Sequence, residues 1–490
     1  MASLQPLLDL LPEERVRALL GARGAVTAPD AARPFLLSAL VRHLDRPILA
    51  ITSRADEAEH LTRDIHAFLG RDGAETFPGW EVLPGEPLSP SVETMGRRLH
   101  VLARLGRGEV FVVVTTAQGA TQLVAAPGDD VRILKLENGG TVDLDQATAA
   151  LVDMGYERNY MVERRGEFAV RGGILDVFPP SSERPVRVEL WGDEITSLRD
   201  FALASQRSLG DCPVVEIAPC RELRPDEATQ ARAEELMATD DDPALAQLAE
   251  GILIPGAERL LPRIKGGLEP LLNFFPKGSA TVILEPKRVR DRADEVLEQV
   301  EEWANISGVR ERHYAPLDEV LTGADPLVMM SSFADPGSED LGVETWAATA
   351  GKPEVLAERL GRLVKEGYRA VIAASLGETA QRLQKNLASM GQQFSLEDSA
   401  PASDSPPGGS IVVSELGRGF VLPWAHLALV AESDLTGRRS GAARRRIQSR
   451  KRQTSGPLDL ADGDLVVHEV HGIGKYAGMV ERELLGVHRE

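Results

Sequence analysis

Short apolar runs alternate with stretches of helical period over the first part of the chain. Residues 47–52 (PILAIT) and 109–115 (EVFVVVT) are apolar almost throughout, the mark of strands buried on both faces. Between them, residues 55–69 space their apolar side chains at helical intervals and predict an amphipathic helix. Such strands separated by helices predict a parallel sheet covered on both sides. The opening residues, MASLQPLLDLLPEERVRALLG, have an amphipathic helical pattern too. They lack a basic start and a small-residue cleavage site, so they do not read as a signal peptide.

Between 155 and 207 the period falls to two. Residues 168–171 and 174–178 flank Gly172-Gly173, and this pattern predicts a tight hairpin, because the turn needs positive φ and Gly supplies it cheaply. Pro179-Pro180 ends the second run by removing ladder donors. In the next strand, 186–191, alternation sends Val186, Val188 and Leu190 to one side, the expected core. Arg187, Glu189 and Trp191 face the other side. Gly192-Asp193 then turns the chain into 195–199. Arg and Trp are among the side chains most enriched at binding hot spots, which makes this polar face a candidate interaction surface. The same pattern also fits a Trp191 packed under a neighbouring loop and an Arg187 paired with Glu189 or Asp193.

From about 215 the helix and strand patterns return. Residues 280–285 read as a buried strand and 289–304 as a long helix. The first α/β lobe is therefore expected to be discontinuous, 1–130 with 215–335, with a strand-rich domain at 131–214 inserted. The pattern weakens around 315–350. A small α/β domain is then expected at 345–436. Its helices are predicted at 353–365 and 379–390, and its strands at 369–375, 410–413 and 427–431. A Ser/Pro/Gly-rich loop at 399–409 interrupts it. A linker follows at 437–460, and a new strand-rich unit opens at 461–490.

Composition narrows the function classes. A chain of 490 residues predicts about three or more domains. The net charge of −20 argues against nucleic-acid binding by the chain as a whole. Locally, residues 438–452 (RRSGAARRRIQSRKR) are strongly basic and read either as an exposed linker or as a salt-sensitive phosphate contact. Cys212 and Cys220 have no His nearby and support neither a disulfide framework nor a zinc site, which suggests a cytoplasmic protein. No apolar run of about 18 residues exists, so no membrane span or membrane partner is expected.

Catalytic signals are absent. A nucleotide-binding lobe opens with G-x-x-x-x-G-K-[ST], whose backbone N–H groups and Lys neutralise phosphates. Gly21 and Gly24 lie in a Gly-rich stretch that no Lys-Ser/Thr follows. Gly351-Lys352 is followed by Pro353, and Gly474-Lys475 by Tyr476. No ATP site, catalytic residue or cofactor is therefore expected in this chain. His468 and His471 have no further ligands to complete a metal shell. Glu432 and Asp434, after a strand, read as caps rather than Mg²⁺ ligands. Trp80 reads as a loop aromatic covering a sheet edge.

The sequence GEFAVRGGILDVFPP with VRVEL, GDEI and SQRS resembles the second domain of the UvrB module. Bacterial nucleotide-excision repair uses that module in UvrB and in the transcription-repair-coupling factors. Residues 77–91, 251–262, 417–423 and 432–435 are similar to the same factors, and 463–479 resembles the opening of their RNA-polymerase-interaction domain, which CarD-type regulators share. UvrB has an intact phosphate loop in its first lobe, so its absence here separates the two.

The resemblance implies a degenerate RecA-like lobe, an inserted UvrA-binding domain, a small α/β domain and the start of a small β-barrel. It implies UvrA as partner, with two arginines and an aromatic as contacts. By motif position these are Arg171, Arg187 and Trp191, where the family commonly has Phe at the last. Charge reversal at Arg187, or Trp191→Ala, is expected to weaken UvrA binding with the fold intact. It further implies a partial dock for the RNA polymerase β subunit, with no contact residue assigned within 463–490. ATP, Mg and duplex DNA would engage motor lobes of the full-length factor, an ATP-dependent DNA translocase of which this would be the N-terminal part. A UvrB-related helicase subunit and a CarD-type transcription regulator are the alternative readings.

Overall fold

Strands from two distant stretches of the chain share one sheet. The computed structural model describes residues 3–21, 25–126, 133–333, 337–346 and 353–436, with the strands Leu465–His468, Gly472–Lys475, Arg482–Leu484 and Val487–Arg489. The first sheet has seven strands, all parallel, in the order Glu339–Asp340, Ala25–Thr27, Leu327–Ser331, Thr281–Leu284, Ile48–Thr52, Val112–Thr116, Ala74–Phe77. Its last strand in sequence lies beyond residue 335.

Alternation along these strands divides the lobe into two cores. Ile48, Ala50, Val112, Val114, Val282 and Leu284 pack with Phe35 and Phe68, from the helices Arg33–Leu44 and Ala55–Leu69. Leu49, Ile51, Val113 and Ile283 pack on the other face with Val101, Leu105 and Val289, from the helices Val92–Gly106 and Pro286–Ser307. The parallel sheet covered on both sides matches the sequence reading. The long helix starts three residues before the predicted 289, because Pro286 fits the first helical turn.

Between the two halves of that sheet lies a six-stranded sheet in the order Ser208–Asp211, Glu194–Phe201, Val186–Trp191, Ile174–Val177, Glu167–Arg171, Glu157–Arg158. Its pairs are antiparallel except the last. One face packs Phe168, Leu175, Val177, Val186 and Val188 against Leu151 of the helix Leu144–Asp153. Leu136 and Val215 join them from an antiparallel strand pair, Leu134–Glu137 with Val214–Ile217. The domain thus extends past residue 214.

The third sheet, also six-stranded, runs Glu344–Thr345, Phe420–Leu422, Leu427–Ala431, Arg369–Ala374, Gly408–Val413, Ser395–Glu397. Phe420, Leu422, Leu427 and Leu429 join the same buried cluster as Phe35. The Phe35 and Phe420 ring centroids lie 5.5 Å apart. The small α/β unit is therefore welded to the first lobe by a shared core.

Trp80 corrects the expectation of an edge cover. It is buried with Leu223, Leu245 and Leu260. Its indole N–H donates to Glu222 at 3.0 Å, the carboxylate that the fully buried Arg98 also reaches at 2.6 Å. Asp434 accepts the backbone N–H groups of Gly419 and Ala431, a turn-capping role. Near the end of the chain, Leu465–His468 pairs antiparallel with Gly472–Lys475, and Arg482–Leu484 with Val487–Arg489. The basic run 438–452 lies outside the described residues, as does His471.

Candidate partner-binding face

Two hairpins place Arg171 and Trp191 at one end of the inserted sheet, while Arg187 lies near the start of the strand that ends at Trp191. In the first, Arg171 pairs with Ile174 across Gly172-Gly173; in the second, Trp191 pairs with Glu194 across Gly192-Asp193. Gly172 and Gly192, the first central residue of each turn, both have φ of 60°. Gly173 answers a different need. A Cβ there would stand 2.7 Å from the Leu190 carbonyl oxygen, and the Leu190 N–H donates to the Gly173 carbonyl at 2.7 Å. The glycine thus lets the first hairpin close onto the neighbouring strand.

Across the sheet Asp176 is the direct partner of Arg187. Its carboxylate is fully buried in an otherwise apolar strand. Arg187 grips it side-on, Nε to Oδ1 at 2.7 Å and Nη2 to Oδ2 at 2.8 Å. Arg171 donates a third bond, from Nη2 to Oδ2. Arg187 Nη1 also donates to the Gln206 backbone carbonyl at 3.2 Å, and its guanidinium carbon lies 4.8 Å from the Phe201 ring centroid. A buried carboxylate is costly unless paired and hydrogen-bonded, and this one is satisfied by two cations. In return the Asp176 hydrogen bonds hold Arg187 protonated more firmly than an ordinary arginine.

The three residues differ in what they offer a partner. Trp191 is 82% exposed, so it is not packed beneath a loop. The Arg171 side chain is 39% exposed and the Arg187 side chain 15%. Arg187 pairs with Asp176 rather than with Glu189 or Asp193. Leu190, expected in the core, is only half-buried, because it sits one residue from the hairpin tip. Asp176 itself escapes a reading of the sequence. Its signal is a lone carboxylate inside the run ILDVF, a position that demands nearby cations.

A second place bears on chemistry. The strand Ala25–Thr27 leads through the turn Asp30–Ala32 to the helix Arg33–Leu44, and a helix start after a parallel strand is where phosphates bind in nucleotide-binding lobes. Here the buried Arg33 guanidinium donates to Glu285 and, at 2.9 Å, to Ser332, both just past neighbouring strands of the sheet. Among the described residues no group of three or more His, Cys, Asp and Glu could hold a metal ion. Among them, too, no helix is long and apolar enough to cross a membrane.

Known families match two parts of the chain. The UvrB interaction domain matches residues 134–223, which contain the whole face just described. The CarD-like/TRCF RID domain matches residues 460–490. The transcription-repair-coupling factor of Mycobacterium tuberculosis is 34% identical over 511 residues, covering 94% of this chain and 41% of that protein. That of Myxococcus xanthus is 30% identical, covering 93% and 42%, and that of Bacillus subtilis 27%, covering 94% and 42%. The chain thus spans about two-fifths of the length of the curated relatives it matches. Along nearly all of its length the chain is thus similar to transcription-repair-coupling factors, and the stretches that match the two domain models lie within that similarity.

Proposed function

We propose that this chain recruits UvrA to sites where RNA polymerase has stalled, through the face that carries Arg171, Arg187 and Trp191. The observation that supports this most is Trp191, an indole left 82% exposed four residues along the strand from Arg187, within the residues that match the UvrB interaction domain. A large aromatic left in water on a sheet that also carries part-exposed arginines fits a hot spot waiting for its partner. Residues 461–490 would open the dock for the polymerase β subunit, in keeping with the match at 460–490. The whole factor would be a cytoplasmic ATP-dependent translocase on duplex DNA, with ATP and Mg bound by motor lobes outside this segment.

The first lobe we read as a RecA-like fold that has lost its nucleotide. The missing phosphate-loop motif supports this, as does Arg33, which turns inward to Glu285 where a phosphate would otherwise be met. On this reading the chain by itself is not an enzyme and needs no cofactor.

Calorimetric titration of the chain with UvrA tests the main proposal. Trp191→Ala should weaken binding about thirtyfold, the usual size of a hot-spot loss of about 2 kcal/mol. Unchanged affinity with native circular dichroism would refute it. DNA-stimulated ATP turnover by the purified chain would refute the reading of the first lobe.

A further inference from the structure

We propose that Asp176 is the positioning residue of this face: it holds Arg171 in the pose that the partner meets, from a base it shares with Arg187. The inference rests on the UvrA-docking reading above and assigns a role to a residue that no partner can touch, since Asp176 is fully buried.

The two arginines are unequally committed. Arg187 uses Nε, Nη1 and Nη2 within the domain, lies against Phe201, and keeps 15% of its side chain exposed. It is part of the scaffold. Among the described residues the Arg171 side chain makes one hydrogen bond, Nη2 to Asp176, and it is 39% exposed. Its remaining N–H groups form an open fork, suited to a carboxylate or a carbonyl pair on a partner. Without an anchor, an arginine at a hairpin tip samples many rotamers, and binding must freeze them. Asp176 freezes them beforehand.

Asp176 is itself held from several directions. It sits in the strand Ile174–Val177, paired with Ala169 on one side and Arg187 on the other. Beyond Arg187, Gln206 adopts φ of 55° and donates to the carbonyls of Val162 and Leu203 at 3.2 and 2.9 Å. The loop that supplies the Gln206 carbonyl to Arg187 is thus pinned too. Rigidity passes from the loop to Arg187, to Asp176 and to Arg171.

A double-mutant cycle separates positioning from general damage. Asp176→Asn should weaken UvrA binding about tenfold, the cost of ordering a long side chain on association with some lost attraction. In an Arg171→Ala background the same change should cost clearly less, because only its effect through Arg187 remains. Both variants are checked for native circular dichroism and a cooperative melt. Equal losses in the two backgrounds, or no loss while Trp191→Ala does weaken binding, overturn the positioning role. If Asp176→Asn does not fold, Asp176→Glu keeps the charge and moves it by one methylene. Put through the same cycle, it supports or overturns the role by the same comparison of backgrounds. If Trp191→Ala and Arg171→Ala both bind UvrA as the parent chain does, the docking face itself is misassigned and this inference falls with it.

Discussion

Asp64, on the helix Ala55–Leu69, accepts the backbone N–H of Gly417 at 2.9 Å, across the seam between the first lobe and the small α/β domain. Burial at this seam pushes the Asp64 carboxyl from 3.8 up to about 7, against the pull of the Gly417 N–H and Arg63 and with added repulsion from Glu415 and Asp30. The protonated form is favoured in the fold. Its stabilising effect is therefore full below pH 3.8 and is lost as pH rises through about 7. Taking partial solvent screening at the seam into account, the effect is on the order of 2 kcal/mol. Asp64→Asn, which keeps an acceptor for Gly417, should flatten the fall in urea midpoint between pH 4 and 8. A midpoint that falls equally in parent and variant would refute the assignment.

Two buried histidines act in the opposite sense. Burial lowers His100 and His313 from 6.5 to about 4, with Arg104 and Arg107 adding to the effect at His100. For a depressed group, stability is full above the unfolded value, 6.5, and is lost as pH falls through about 4. In the Asp64→Asn variant, with the opposing contribution of Asp64 gone, this acid limb should show more clearly as a urea midpoint that drops below pH 6.5. Adding His100→Gln should shallow the drop. An unchanged slope would mean that His100 takes up its proton without cost.

Much of this architecture was legible in the sequence, and the limits have physical causes. The strand at 47–52 announced a sheet buried on both faces, because Ile48 and Leu49 are apolar in both parities and each parity meets its own layer of helices. The hairpin at Gly172 was legible because its turn demands positive φ within the local sequence. Trp80 was not, because its burial depends on Glu222, 142 residues further along the chain. Nor was the shared core of Phe35 and Phe420, since amphipathic patterns show that a face is buried and not against what. At the candidate site, alternation put Arg187 and Trp191 on one face but could not divide their roles. That division is set by Asp176, one strand away.

The two glycines of the first hairpin should fail differently on substitution. At Gly172, with φ of 60° and nothing within 4 Å of an added Cβ, the cost of Ala is left-handed strain of about 1 kcal/mol, and Asn should relieve part of it. At Gly173 an added Cβ meets the Leu190 backbone oxygen at 2.7 Å, so the two strands must part. Gly173→Ala should cost about 1–3 kcal/mol, as overpacking does, and Asn should give no relief. Thermal melts of Gly172→Ala, Gly172→Asn, Gly173→Ala and Gly173→Asn provide the check. Equal losses for Ala at both positions, with equal rescue by Asn, would contradict this account.

By sequence alone Arg187 and Trp191 are interchangeable probes of UvrA binding, each alterable with the fold intact. The structure separates them. Removing Trp191 takes away a side chain that is mostly in water, so Trp191→Ala should change stability by no more than about 0.5 kcal/mol. Removing Arg187 leaves the buried Asp176 carboxylate, among the described residues, with the single bond from Arg171, and breaking a buried ion pair costs about 3–5 kcal/mol. Charge reversal at Arg187 is harsher, because it sets a second carboxylate against the first. Arg187 variants should therefore lose UvrA binding together with stability, whereas Trp191→Ala loses binding alone. Urea unfolding beside UvrA titration of Arg187→Ala, Arg187→Ala/Asp176→Ala and Trp191→Ala measures both quantities. In the double variant the buried charge is gone, so much of the stability should return while UvrA binding stays weak. A double variant no more stable than Arg187→Ala alone would mean that the unpaired Asp176 charge is not what unfolds the face.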